Sequence, residues 1–132
     1  MYSMKETCLE VGLSYQTLKY YCNQGLIPNV KRDSNHYRIF DDKDIAWIKS
    51  ILCLKRCGMS IEDMRTYVDL CIIGKPSIEQ RKHMLQKQKE DLLKQVELLQ
   101  DSIQYIDTKQ ELYDDFLSGK KAYFSNIIQT EI

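Results

Sequence analysis

A seven-residue repeat near the C-terminus constrains this chain more than any other feature. Ile78, Leu85, Leu92, Leu99, Ile106 and Tyr113 recur at that interval, and Val96, Ile103 and Leu117 occupy a second seam position that elsewhere holds Lys82, Lys89 and Gln110. No Gly or Pro interrupts the stretch from Ser77 to Ser118. An apolar period of seven without breakers predicts one continuous helix over 77–118 whose seam packs as a coiled coil. At about 1.5 Å per residue such a helix runs roughly 60 Å. The residues ahead of it make too small a body to cover that stripe. Folding back into a bundle would need a turn signal, and the stretch has none. The seam therefore calls for a second copy of the helix, with Leu85, Leu92, Val96, Leu99, Ile103, Ile106 and Tyr113 at the interface of a homodimer.

The first half of the chain is punctuated differently. Ser3, with Glu6 three positions on, has the form of a capping box opening a helix to about Glu10, and Gly12 closes it. Ser14 caps a second helix from Tyr15 to about Gln24, stopped by Gly25 and Pro28. Two short helices joined by a tight Gly-containing turn form a helix-turn-helix, with the second as recognition helix. Asp33-Ser34-Asn35 is turn chemistry and His36 to Phe40 alternates as a short strand does, giving a hairpin wing. Asp41-Asp42 starts a third helix, with Ile45, Ile48, Ile51 and Leu52 at helical spacing, ended by Gly58. Ser60, with Asp63, caps a fourth carrying Ile61, Met64, Val68 and Leu70 or Cys71 on its apolar side. Gly74-Lys75-Pro76 reads as a hinge, and Ser77, with Gln80, as the cap of the long helix.

Net charge is zero, but its distribution is uneven. Residues 14–40 hold Lys19, Lys31, Arg32 and Arg38 against Asp33 alone, a local +3, whereas residues 77–132 hold eight basic and ten acidic side chains. A basic N-terminal face with a slightly acidic remainder fits DNA binding by one end. No apolar run approaches a bilayer span and MYSMKETC lacks a signal-peptide core, so the chain is read as cytoplasmic, with no membrane partner. Five cysteines, an odd number without an export signal, are read as reduced thiols.

The ordered series Ser14-x-x-Thr17-Leu18-Lys19-Tyr20-Tyr21, Gly25-Leu26-Ile27-Pro28, Tyr37-Arg38, Phe40 and Gly58-Met59-Ser60-Ile61-Glu62-Asp63 closely resembles the MerR family of bacterial transcription regulators. The resemblance covers residues 2–72 in motif detail and extends to 117 in architecture. Two positions depart from the family pattern: Lys19 stands for the usual Arg, keeping the charge but not the fork geometry, and His36 for the usual wing Gly. With His36 in place, the hairpin is expected to turn through Asn35 or nearby. Thr17 and Tyr20 are suited to donate to phosphate oxygens, Lys19 and Arg38 supply charge, and Tyr37 braces the wing against the backbone. Tyr15 and Gln16 sit where a recognition helix reaches base edges, Tyr15 being equally suited to packing. His36 is either a further DNA contact or simply exposed, and Lys55 and Arg56 are either phosphate contacts or complements of a helix dipole. Leu18 and Tyr21 are read as core. The resemblance implies double-stranded promoter DNA of near-palindromic sequence as a partner, RNA polymerase at the promoter, and activation by bending and untwisting an overlong spacer.

What such a regulator senses is set, in the family, by its C-terminal part. Here about 15 residues follow Leu117, no Cys follows Cys71 and His83 has no soft partner, so no drug-binding domain, metal or cofactor is expected. Cys53, in Ile-Leu-Cys-Leu-Lys-Arg-Cys-Gly, with Trp47 before it, Ser60-Ile-Glu-Asp after it and Ser77-Ile-Glu-x-Arg81 beyond, is similar to a small thiol-based subgroup associated with aldehyde, quinone or nitric-oxide stress. Cys57 lies one helical turn on, and both are candidate sensor thiols unless they simply pack. A thiol enzyme would need a base placed beside its nucleophile, and neither histidine neighbours a cysteine in sequence. A constitutive repressor, a regulator with a non-covalent effector and a coiled-coil adaptor without DNA binding are the remaining alternatives. The expected architecture is mainly α: a winged helix-turn-helix DNA-binding domain over 1–73, a hinge at 74–76, a dimerisation helix over 77–118 in an antiparallel coiled coil, and a tail over 119–132. Tyr123, Phe124, Ile127 and Ile128 make a packed tail the expectation.

Overall fold

The computed structural model describes residues 1–129. Short polar caps set the helix starts. In α1 (Met4–Val11) the Glu6 N–H donates to Ser3 Oγ and the Ser3 N–H to Glu6 Oε1, both at 3.1 Å. This reciprocal pair satisfies two amide donors that the first turn leaves without partners. α2 (Tyr15–Asn23) is capped by Ser14, α3 (Asp42–Arg56) by Asp41 with Asp44 returning the bond, and α4 (Ile61–Ile73) by Ser60. Gly12, Gly25 and Gly58 follow the first three helices with positive φ, the left-handed geometry a side chain resists.

The wing pairs β2 (Lys31–Arg32) with β3 (Arg38–Phe40), antiparallel, with Arg32 opposite Arg38. A third strand, β1 (Tyr2–Ser3), lies on the other side of β3 with Tyr2 opposite Phe40, giving the order β1-β3-β2. That strand was not expected from the sequence: two residues carry no period, and their partner lies far along the chain. The turn also differs. The left-handed residue is His36 itself, at φ 65°, rather than Asn35, because Asp33 Oδ1 already accepts the N–H groups of Asn35 and Tyr37 and fixes the loop before it.

The core gathers Leu18 and Tyr21 from α2, Phe40 from the wing, Ile48 and Ile51 from α3 and Met64 and Val68 from α4, all nearly or fully buried. Trp47 Nε1–H donates to the Leu26 carbonyl at 2.7 Å, holding the Gly-Leu-Ile-Pro loop against α3. Cys8 and Cys22 are half-buried against the same core, and burial pushes both thiols up.

Gly74 leads into a 3-10 turn (Lys75–Ser77) and then α5 (Ile78–Ser118), a single helix of 41 residues. Ser77 does not cap α5 through Gln80. Its buried hydroxyl shares its one proton between the carbonyls of Leu70 and Gly74 and accepts from Arg81 Nε, while Arg81 Nη2 donates to the Gly74 carbonyl at 2.9 Å. Further along, Gln88 Nε2 donates to the Cys57 carbonyl at 2.7 Å. These bonds tie the first turns of α5 to the end of α4, to Gly74 and to the end of α3. By compactness the chain divides into two units, Met1–Leu92 and the part from Leu93 onward. In the second unit Tyr123 and Phe124 meet Phe116 edge-on, with ring centroids 5.3 and 5.2 Å apart. Ile127 and Ile128 are exposed, and residues 130–132 of the expected tail lie outside the described residues.

Candidate nucleic-acid interface

The exposed side of α2 follows from which of its residues the core takes. Leu18 and Tyr21, three apart, point inward. Tyr15 with Lys19 and Gln16 with Tyr20, each four apart, are therefore left outside, and all four are exposed. Ser14 Oγ accepts from the Thr17 N–H at 3.2 Å and donates to Thr17 Oγ1 at 2.9 Å. Because Thr17 Oγ1 is the acceptor of that bond, its own proton is free to donate, at the helix end whose dipole favours an anion.

The wing adds a second set of donors. Arg32 Nη1 donates to the His36 carbonyl at 2.7 Å, and Tyr37 and His36 stand exposed at the hairpin tip. Arg38 Nη2 donates to Asn23 Oδ1 at 2.7 Å, bringing wing and recognition helix together. Thus Tyr15, Gln16, Thr17, Lys19, Tyr20, His36, Tyr37 and Arg38 lie on two elements that Arg38 joins. Lys55 is exposed in the last turn of α3, beside Arg56, and α3 packs against α1, α4 and β3. Its position there matches the helix-dipole alternative as well as a phosphate contact.

Lys31 belongs elsewhere. Its Nζ reaches Asp41 Oδ2 at 2.8 Å, Asp44 Oδ2 at 3.2 Å and the Asn29 carbonyl at 3.0 Å, so its charge is answered inside the head. The sequence count of basic residues over 14–40 overstated the charge free for DNA by this one lysine. The hydrogen bond from Lys31 holds the Asp41 carboxyl down at about 2, and the same bond raises Lys31.

A pH dependence follows. Asp41 ordinarily titrates near 3.8 and titrates at about 2 in the folded head, so its contribution is complete above the ordinary value and lost as pH falls toward the folded one. Asp41→Asn keeps a good helix cap but removes the ion pair. Urea midpoints of the two proteins are expected to differ at pH 7 and to converge near pH 2. A gap that persists at pH 2 would mean that the charge is not what Asp41 contributes.

Of the candidate sensor thiols, Cys53 is exposed on α3, whereas Cys57 is half-buried and forms the C-cap of that helix rather than part of its body. Sequence reasoning counted Arg32 only within the basic face and did not single out Asn23, the partner of Arg38. The signal for Asn23 was only its place, the last polar residue before Gln24-Gly25. Nothing local announced its partner Arg38.

A helix-turn-helix with a short-stranded wing, exposing phenol, amide, hydroxyl and cationic groups on adjoining elements, is the architecture of a winged-helix DNA-binding protein. Residues 2–71 match the model of the MerR HTH family of regulatory proteins. An HTH-type transcriptional regulator of Haemophilus influenzae, itself uncharacterized, is 33% identical over 112 residues, covering 85% of this chain and 83% of that one. The HTH-type transcriptional regulator AdhR of Bacillus subtilis is 36% identical over 91 residues, 69% of this chain and 65% of AdhR. Among solved structures, HiNmlR, a MerR family regulator lacking the sensor domain and bound to promoter DNA, superposes with a TM-score of 0.75 at 32% identity, covering 89% of this chain and 93% of that one. A MerR family regulator from Listeria monocytogenes superposes at 0.81 with 31% identity and 91% of both chains covered. The chain belongs to the MerR family: it is a DNA-binding transcription regulator and not an enzyme. Among the described residues, no helix is long and apolar enough to cross a membrane.

Proposed function

We propose that the protein acts as a homodimer, joined by an antiparallel coiled coil of two α5 helices, on near-palindromic promoter DNA, and activates transcription by distorting an overlong spacer so that RNA polymerase engages both promoter elements. The observation that carries this reading is the bare seam. Val96, Leu99, Ile103 and Ile106 are 48–63% exposed in the single chain, and α5 buries none of its residues. Uncovered apolar area of this kind, repeated every seven residues, is stable in water only against a matching helix. Two heads held by one coil account for a two-fold site. DNA binding is supported by the family and by the promoter-bound relative HiNmlR.

The trigger we assign to Cys53, exposed on α3 with Lys55 and Arg56 in the following turn. The AdhR and HiNmlR relatives support membership of the thiol-based subgroup. Addition of the thiol to an aldehyde forms one S–C bond and passes the thiol proton to the carbonyl oxygen, so no further reactant is needed. A second reading has its own observation: a cavity of about 400 Å³ bordered by Pro28, Trp47, Val68, Cys71 and Ile72 offers a non-covalent effector a place in the head. Transcription from the gene's own upstream promoter, with wild type beside Cys53→Ser and with and without formaldehyde, separates the two. The thiol trigger predicts induction of the wild type and a mutant that binds DNA but stays silent. An equal response from both contradicts it and favours the cavity.

A further inference from the structure

We propose that Asn23 is a positioning residue for DNA binding: its side-chain amide holds the Arg38 guanidinium on the end of the recognition helix and so fixes the wing relative to α2. The inference rests on the assignment of Arg38 as a phosphate contact. Asn23 is the last residue of α2 and Arg38 the first of β3, and the 2.7 Å bond between them spans 15 positions of sequence. A hydrogen bond from a guanidinium is charge-assisted and stronger than one between neutral groups.

Two further facts point the same way. The last turn of α2 has no basic residue, so the partial negative charge of that helix end is answered from outside, by the wing arginine. Arg32, opposite Arg38 in the hairpin, spends a guanidinium N–H on the His36 carbonyl, and both arginines act on the Cys22 thiol beside Asn23, opposing the upward push of burial. Arg38 is thus the wing guanidinium that is bonded to the C-terminal turn of α2.

The chemistry of the acceptor matters. An amide oxygen orients a guanidinium without cancelling its charge, and Arg38 keeps further N–H donors for a phosphate. A carboxylate at position 23 would hold Arg38 as firmly but neutralise it.

The test uses the full chain and two duplexes: one selected by the wild type from a random-sequence pool, and a scrambled control. Affinity is measured across a salt series. Arg38→Ala is expected to lower the salt slope by about 0.9, the loss of one phosphate contact. Asn23→Ala is expected to lower affinity for the selected duplex by roughly tenfold, the scale of one charge-assisted bond, with the slope retained. Asn23→Asp is expected to lose slope as Arg38→Ala does. In the Arg38→Ala background, Asn23→Ala should add nothing, because it acts only through Arg38. A thermal melt of Asn23→Ala that superposes on the wild type excludes a general loss of fold. Wild-type affinity in Asn23→Ala, or an equal further loss in the double variant, overturns the positioning role while leaving Arg38 as a contact. An Arg38→Ala protein with unchanged affinity and slope overturns the contact itself, and the positioning role with it.

Discussion

Leu99→Asp combined with Ile103→Asp is expected to give a monomer and to cut affinity for a two-half-site duplex by about 10²- to 10⁴-fold. Both residues lie in the exposed seam of α5, 63% and 58% accessible in the single chain. Two carboxylates on each of two facing helices would bring four like charges into a dry interface, where neither solvation nor pairing offsets them. The heads would remain folded, since neither residue belongs to the Met1–Leu92 unit. The loss of affinity comes from linkage. Two heads on one coil bind the second half-site at a high effective concentration, and separated heads do not. Sedimentation gives the mass and a binding titration gives the affinity. A variant that stays dimeric would show that the seam is not the interface. A monomer with undiminished affinity would show that one head suffices.

The second large effect falls in the head. Phe40→Ala is expected to destabilise it by about 3–5 kcal/mol. Phe40 is fully buried at the end of β3, opposite Tyr2 in the three-stranded sheet. Its removal leaves a cavity where the wing meets the helices, and cores relax only partly around such a gap. Against a total of roughly 5–15 kcal/mol for a domain, that loss removes a large share of the folding margin. It should weaken DNA binding in proportion to the unfolded fraction without touching any proposed contact. Urea unfolding measures the change, and a shift below about 1 kcal/mol would mean that the wing is not part of the cooperative core.

Much of this was legible in the chain because the signals are local. Ser3, Ser14, Asp41 and Ser60 each cap a helix through atoms three residues away. The seven-residue period located α5 to within a residue of its observed ends. Leu18 and Tyr21 were read as core and are buried, whereas Tyr15, which the sequence left open between packing and contact, is exposed. What was not legible depends on distant partners. β1 exists only because Tyr2 finds Phe40, and Lys31 left the DNA-facing charge because Asp41 and Asp44 meet it. Ser77 looked like a cap and is a buried bridge from α5 back to α4, because Leu70 and Gly74 present carbonyls to it. Asn23 accepts a hydrogen bond from Arg38, a residue 15 positions away. Spacing rules see one element at a time; these contacts join two.

The composition and footprint of the complex on a duplex selected by the wild type decide whether two chains act together on one two-fold site. Light scattering should find two chains per duplex, and the footprint should show two protected half-sites related by a two-fold axis. A single chain on a single half-site, or protection without sequence preference, would contradict the account.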